Sequence, residues 1–317
     1  MKECAIGIDQ GGTNTRIALI DREGTIIACE VYTTPANQPS KAIIQLISNG
    51  VEAILEKTKY PKDRVHGIGL GSAGFLSPQK GIIYFSPNIP TLANLSMTKL
   101  LEEETGFKTC LENDANAAAI GEHWLGAGRG VDNFIFITLG TGLGSGIILH
   151  GEIWHGTYGF AGEMGHTILF PDGLPCKCGR KGCLEAYCSA SAIVYFTHEK
   201  LKQGKASSLR EVSTVLTSQI IFQHASTGDS LALEVFKEIG TYLGIALSNV
   251  FNLLDLEMAI IGGKVAEAGD FILRPARDEV KRIAISSKYH TAQVVKSKLG
   301  ENAGVLGSAF LVFQNIM

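Results

Sequence analysis

Six residues able to do metal or proton chemistry fall within one stretch of 23: Glu163, His166, Cys176, Cys178, Cys183 and Glu185. The cysteines follow C-x-C-x4-C spacing, with the histidine ten residues before the first of them. Three thiolates and an imidazole form a donor set that tetrahedral zinc prefers, and four protein ligands mark a structural rather than a catalytic ion. Spacing alone also allows three unrelated thiols in a loop, because this pattern is not among the commonest for zinc. With metal bound, the loop would hold Glu163 and Glu185 as two fixed acceptors.

Two glycine turns offer a different chemistry. Gln10-Gly11-Gly12-Thr13-Asn14 and Gly140-Thr141-Gly142-Leu143-Gly144 each lie between two strand-like runs, 128 residues apart from Gly12 to Gly140. Glycine lets a ligand approach backbone N–H groups closely, and phosphate benefits most. Neither turn fits a P-loop, and a Rossmann fingerprint would open a helix where these open strands. Tight hairpins without ligand explain each turn singly; the pair points to a nucleotide clamp. Asp9, at the end of the first strand, is placed to position magnesium through water. Arg16 is either a phosphate contact or an exposed cation.

Asp114, in Glu112-Asn113-Asp114-Ala115-Asn116-Ala117, stands where a strand meets an alanine-rich helix. The plain expectation is an N-cap. The functional one is a general base for phosphoryl transfer, kept ionised by the helix N-terminus, with Asn113 orienting the attacking hydroxyl. Asn88, between Pro87 and Pro90, suits a rigid substrate-positioning loop.

The elements that must carry these groups follow from periodicity. Ala5–Asp9, Thr15–Ile20 and Thr25–Val31 read as an antiparallel meander. A helix is expected near Ser40–Lys57 with Ser40 as N-cap, then a strand at Val65–Leu70, a helix at Met97–Thr105 and a strand at Lys108–Leu111. Asn133–Leu139 and Ile147–Leu149 restart the pattern as strands. Helices are expected around Glu185–Gln203 and Ser230–Leu254, then a strand at Glu257–Ile261 before Gly262-Gly263, and an apolar helix over Gly304–Phe313. A strand–glycine turn–strand unit occurring twice predicts a duplicated α/β domain. The first domain is expected over 1–113 with the C-terminal helix 304–317 packed back on it, and the second, with the zinc loop, over 114–303.

The 317 residues carry 28 Lys and Arg against 31 Asp and Glu, a formal charge of −3 that gives no support to a nucleic-acid or polybasic membrane surface. No apolar run reaches the ~18 residues of a membrane span. The early first strand leaves no room for a signal peptide, and Cys4, Cys29, Cys110 and Cys188 read as reduced thiols, so the cytosol is the expected compartment.

Taken in order, these motifs, with Pro87-Asn88-Ile89-Pro90, Gly162-Glu163-Met164-Gly165-His166 and the run from Cys176 to Glu185, resemble the ROK family of sugar kinases and repressors. The resemblance runs from residue 5 to about 312 and is greatest to the glucokinases. It implies a hexokinase/actin-like ATPase fold, α/β with two domains and an interdomain cleft. By that likeness Asp114 is the catalytic base, and Gly74, Asn88, Asn113, Glu163, His166 and Glu185 line the sugar site. Gly11, Gly12, Thr13, Gly140, Thr141 and Gly142 face the phosphates, and Gly262 and Gly263 the adenosine. His166, Cys176, Cys178 and Cys183 bind zinc, with His166 serving metal and sugar through its two nitrogens.

The implied reaction is ATP- and Mg2+-dependent phosphorylation of a hexose at its primary hydroxyl, glucose first. N-acetylmannosamine and N-acetylglucosamine kinases are the alternative, and a non-catalytic sugar sensor or repressor a further one. A repressor would need a helix-turn-helix module to reach DNA. A homodimer is usual among such proteins; no nucleic acid or membrane partner is expected. Two positions depart from the family pattern. Ala73 stands where Pro is frequent, which is expected to loosen the loop before Gly74. Lys264 stands where a third glycine is common.

Overall fold

The computed structural model describes residues 2–290 and 292–314. Over these it divides into two compact units. The first comprises the chain up to Gly130, Gly146–Ala161 and the chain from Lys298; the second comprises Val131–Ser145 and Gly162–Ser297.

In the first unit β1 (Cys4–Gln10), β2 (Asn14–Asp21) and β3 (Ile26–Thr33) form the antiparallel meander. Helix α1 (Ser40–Thr58) follows, capped by Pro39 without a side-chain hydrogen bond rather than by Ser40. β4 (Val65–Ser72) then pairs parallel to β1. A small antiparallel sheet of β5 (Phe75–Ser77), β6 (Ile82–Phe85) and β7 (Ala93–Ser96) precedes α2 (Met97–Thr105), β8 (Thr109–Asn113) and α3 (Asp114–Leu125). The main sheet has the order β3-β2-β1-β4-β8.

Alternation along β1 sorts its side chains onto two faces. Cys4, Ile6 and Ile8 join Ile43, Ile47, Val51 and Ile54 of α1 in one core. Ala5 joins Val305, Leu306 and Ala309 of the C-terminal helix (Ala303–Gln314) in another. That helix lies directly on strand backbone. A Cβ at Gly7 would sit 2.0 Å from the Val305 carbonyl oxygen, and one at Gly69 of β4 would sit 1.7 Å from that of Ser308. The Ser308 hydroxyl donates to the Ile8 carbonyl at 2.9 Å. Against α3 the contact is as close, since a Cβ at Gly307 would meet the Ala117 oxygen at 1.7 Å. Because α3 packs on this helix, it belongs to the first unit, and the boundary expected at residue 113 falls inside that unit. Residues 315–317 of the expected helix lie outside the described residues.

β9 (Phe134–Leu139), β10 (Leu143–Leu149) and β11 (Glu152–Ile153) open the second sheet, and the division between the units falls within β10. Next come α4 (Ala190–Lys202), α5 (Ser218–Ser226), α6 (Ser230–Leu254), β12 (Met258–Gly262), α7 (Asp270–Ile283) and β13 (Gln293–Lys296). The helix expected from Glu185 starts at Ala190 instead, because the Ser189 hydroxyl accepts the Ala192 N–H at 3.2 Å and caps it there. The sheet order β11-β10-β9-β12-β13 repeats that of the first, three successive strands and then two later ones running parallel. The duplication expected from the glycine turns is thus present in topology. Among the described residues no helix is long and apolar enough to cross a membrane.

Candidate active site

In the first unit the parallel register of β4 and β8 sets Ser72 beside Asn113, so both strands end together. Asn113, extended at φ −67° and ψ 144°, is the N-cap of α3. Its Oδ1 accepts the N–H groups of Ala115 at 2.9 Å and Asn116 at 3.2 Å, and its Nδ2 donates to the Gly74 carbonyl at 3.4 Å. Asp114, expected as the cap, is instead the first helical residue, its Oδ1 sharing the Ala115 N–H at 2.9 Å. Burial raises the Asp114 pKa, and that backbone N–H draws it back down.

Gly74 has a φ of +134°, and a Cβ there would meet the Phe85 carbonyl at 2.5 Å, so glycine is required on both counts. The Ala73 N–H in this loop donates to the Gln10 carbonyl at 3.2 Å, a bond that proline cannot make.

The first glycine turn is closed by the Gly11 N–H on Asn14 O at 2.9 Å and held to the residue after β3 by the Thr34 hydroxyl on Gly11 O at 2.8 Å. A Cβ at Gly12 would lie 2.7 Å from the Asn88 Cβ, so this turn and the Asn88 loop touch. Thr13 is exposed. Asp9 points to the C-terminal helix, where a Cβ at Gly304 would come within 2.7 Å of its carboxyl carbon. Burial pushes its pKa up to about 7, the Asp114 carboxylate adds to the rise, and Arg16 opposes it. Arg16 is committed elsewhere as well, to Glu301 at 2.7 Å.

In the second unit the glycine turn and the cysteine loop are joined through one carboxylate. Glu185 Oε2 accepts the Leu143 N–H at 2.9 Å, and a Cβ at Gly142 would strike the same oxygen at 2.4 Å. Glu185 Oε1 lies 3.7 Å from Cys176 Sγ. The Gly140 carbonyl accepts the Ala190 N–H at 2.8 Å, tying the turn to the start of α4, while Thr141 is exposed. Glu163 precedes a short 3-10 turn at Met164–His166 and accepts the His166 N–H on its carbonyl at 3.0 Å. Met164 is buried and its N–H donates to the Ser145 hydroxyl at 3.3 Å, which anchors this turn to β10.

The four donors of His166, Cys176, Cys178 and Cys183 lie within 4.8 Å of one another. Cys178 and Cys183 Sγ are 3.6 Å apart, and Cys176 Sγ is 3.9 Å from His166 Nδ1. Zinc–sulfur bonds of ~2.3 Å at tetrahedral angles put sulfurs about 3.8 Å apart, so the set fits that ion. With Nδ1 turned to the thiols, Nε2 of His166 is the nitrogen left for a second partner.

Gly262 pairs beside Thr138 at the ends of parallel β12 and β9, so Gly262-Gly263 lies next to the Gly140 turn. Gly263 has φ +81°, and a Cβ there would meet Leu139 O at 2.4 Å. Crevices at the C-terminal ends of parallel strands are where α/β sheets hold nucleotides. Lys264 is exposed. Periodicity gave no sign of one further group, the buried Glu112 with His155 at 2.7 Å; only a polar residue at the last inward position of β8 hinted at it.

A family model described as "ROK family" matches residues 5–315. The glucokinase of Halalkalibacterium halodurans is 38% identical over 98% of this chain and 94% of its own. That of Thermotoga maritima is 35% identical, covering 98% of both. The crystal structure of a ROK family glucokinase from Streptomyces griseus, in complex with glucose and AMPPNP, superposes with a TM-score of 0.85 at 34% identity, over 98% of this chain and 99% of that one. The xylose repressor of Caldicellulosiruptor bescii is 29% identical, and the match spans 78% of its length. On the family match, these identities and the α/β hexokinase/actin-like fold, the chain belongs to the ROK family.

Proposed function

We propose that the protein is an ATP-dependent hexokinase that phosphorylates the primary hydroxyl of glucose. The observation that carries this is the placement of Asp114. Its carboxylate stands at the N-terminus of α3 while Asn113 takes over the capping, in a unit that also presents the Gly11–Thr13 turn. Relatives named glucokinase, more than a third identical over nearly the whole chain, support the same activity.

Asp114 takes the proton of the attacking hydroxyl, with burial holding its pKa above that of a free carboxyl and so strengthening the base. The sugar-binding residues of this reading are Gly74, Asn88, Asn113, Glu163, His166 and Glu185. The backbone N–H groups of Gly11, Gly12 and Thr13, and of Gly140, Thr141 and Gly142, hold the phosphates, and Gly262 and Gly263 receive the adenosine. Magnesium, when bound, neutralises charge on the phosphate oxygens. Asp9 would hold it through water, since a carboxyl pushed to about 7 by burial and by Asp114 gains from a nearby cation. Zinc on His166, Cys176, Cys178 and Cys183 would fix the loop carrying Glu185. A homodimer acting in the cytosol, without nucleic acid or membrane, completes the reading.

ADP release measured on glucose, mannose, fructose, allose, N-acetylmannosamine and N-acetylglucosamine tests it. Glucose should give the highest kcat/KM. Preference for an acetamido sugar would move the assignment to those kinases, and sugar binding without turnover would leave a sensor.

A further inference from the structure

Glu112 has only 2% of its side chain exposed and no part in the chemistry proposed above. Its two oxygens are nonetheless engaged from three sides. Oε1 accepts the Asn113 backbone N–H at 2.9 Å and the Asn116 side-chain amide at 3.0 Å. Oε2 lies 2.7 Å from His155 Nε2. The backbone of His155 is held in turn, because its carbonyl accepts the Ala161 N–H at 3.1 Å, within the same unit.

A buried carboxylate is costly unless a positive partner and hydrogen bonds meet it. Among the described residues His155 is the one cationic-capable side chain that meets Glu112, at 2.7 Å, and the hydrogen bond between them raises the His155 pKa above its ordinary value. The residues Glu112 holds are the cap of α3 and the side chain one turn along. Asp114 stands between them, so its carboxylate can be no better placed than they are.

We propose that His155 is a positioning residue for phosphoryl transfer: by pairing with Glu112 it fixes the turn from which Asn113 and Asp114 are presented. This rests on the assignment of Asp114 as the base. Misplacing a reacting group by an ångström costs on the order of 10^2 in rate, so a loosened turn should be read in kcat.

The test combines steady-state kinetics with amide hydrogen exchange at Ala115 and Asn116 in His155→Leu, His155→Gln and the double variant Glu112→Gln/His155→Leu. His155→Leu leaves Glu112 buried with no partner on Oε2; it should lower kcat roughly 10–100-fold, leave both KM values within about threefold, and speed exchange at those amides. His155→Gln, which keeps a neutral donor, should lose about threefold. The double variant removes the stranded charge, while the uncharged amide that replaces the carboxylate can still accept from Asn113. It should regain at least half of the loss in log kcat. Unchanged kcat and exchange in His155→Leu, or equal losses in the single and double variants, would overturn the proposal. Should His155→Leu fail to fold, the other two variants decide it. Exchange reads the turn independently of turnover, whereas full activity of Asp114→Asn would instead overturn the base.

Discussion

Asn113 caps the helix that Asp114 begins. The Oδ1 of Asn113 takes the Ala115 and Asn116 N–H groups at 2.9 and 3.2 Å, which leaves Asp114 with one oxygen outside the capping bonds. On the proposed function, neighbouring residues thus divide a structural task from a chemical one. Asp114→Asn should therefore fold as the parent does, keep glucose affinity within about threefold, and lower kcat by at least ~10^2. Near-parental turnover, with a matching melting curve, would remove Asp114 from the mechanism.

Replacing Cys178 with Ser should release zinc, read by elemental analysis, and weaken glucose binding in calorimetry at least ~10-fold. The link is Glu185, whose carboxylate reaches both the cysteine loop and the Leu143 N–H. Loss of zinc with sugar affinity intact would reduce the loop to a staple.

The pairing of His155 with Glu112 makes stability pH-dependent in a definite direction. Glu112 raises the folded-state pKa of His155 above its ordinary value of 6.5. The contribution is then complete below 6.5 and disappears as pH rises through the raised value. Thermal melts of His155→Gln should fall short of the parent by about 2 kcal/mol at pH 5.5–6, where the lost bond is a charged one, and the gap should narrow by pH 9. A gap that is constant or widens with pH would show that the imidazole is neutral.

Gly69→Ala should destabilise the first unit by about 3 kcal/mol, since the new methyl would sit 1.7 Å from the Ser308 carbonyl oxygen and backbone must move. Denaturant unfolding measures this. A cost below about 1 kcal/mol would mean that the C-terminal helix can shift on the sheet.

The strongest periodic signals were legible in the residues. The β1–β3 meander, α2 at Met97–Thr105 and the long α6 stand where alternation and helical spacing set them. Helix α7 was not legible, because Pro275 interrupts its pattern four residues after Phe271. The short strands β5 to β7 carry too few residues for a period to register. Within the site, spacing picked out His166, Cys176, Cys178 and Cys183, whose donor atoms the structure brings within 4.8 Å of one another. The cap at Asn113 and the buried Glu112 were not readable, since either of two adjacent polar residues can end a strand, and burial of a glutamate depends on what folds over it.

The closeness of the C-terminal helix to β1 also bears on how the protein is made. Ser308 meets Ile8 across 300 residues of sequence, so β1 leaves the ribosome long before the helix that covers one of its faces. Until then Ala5 and Gly7 remain uncovered on that side. The second unit, most of which is continuous from Gly162 to Ser297, can gather its helices earlier. Synthesis therefore favours an order in which the half bearing the cysteine loop matures first, and the half bearing Asp114 closes last.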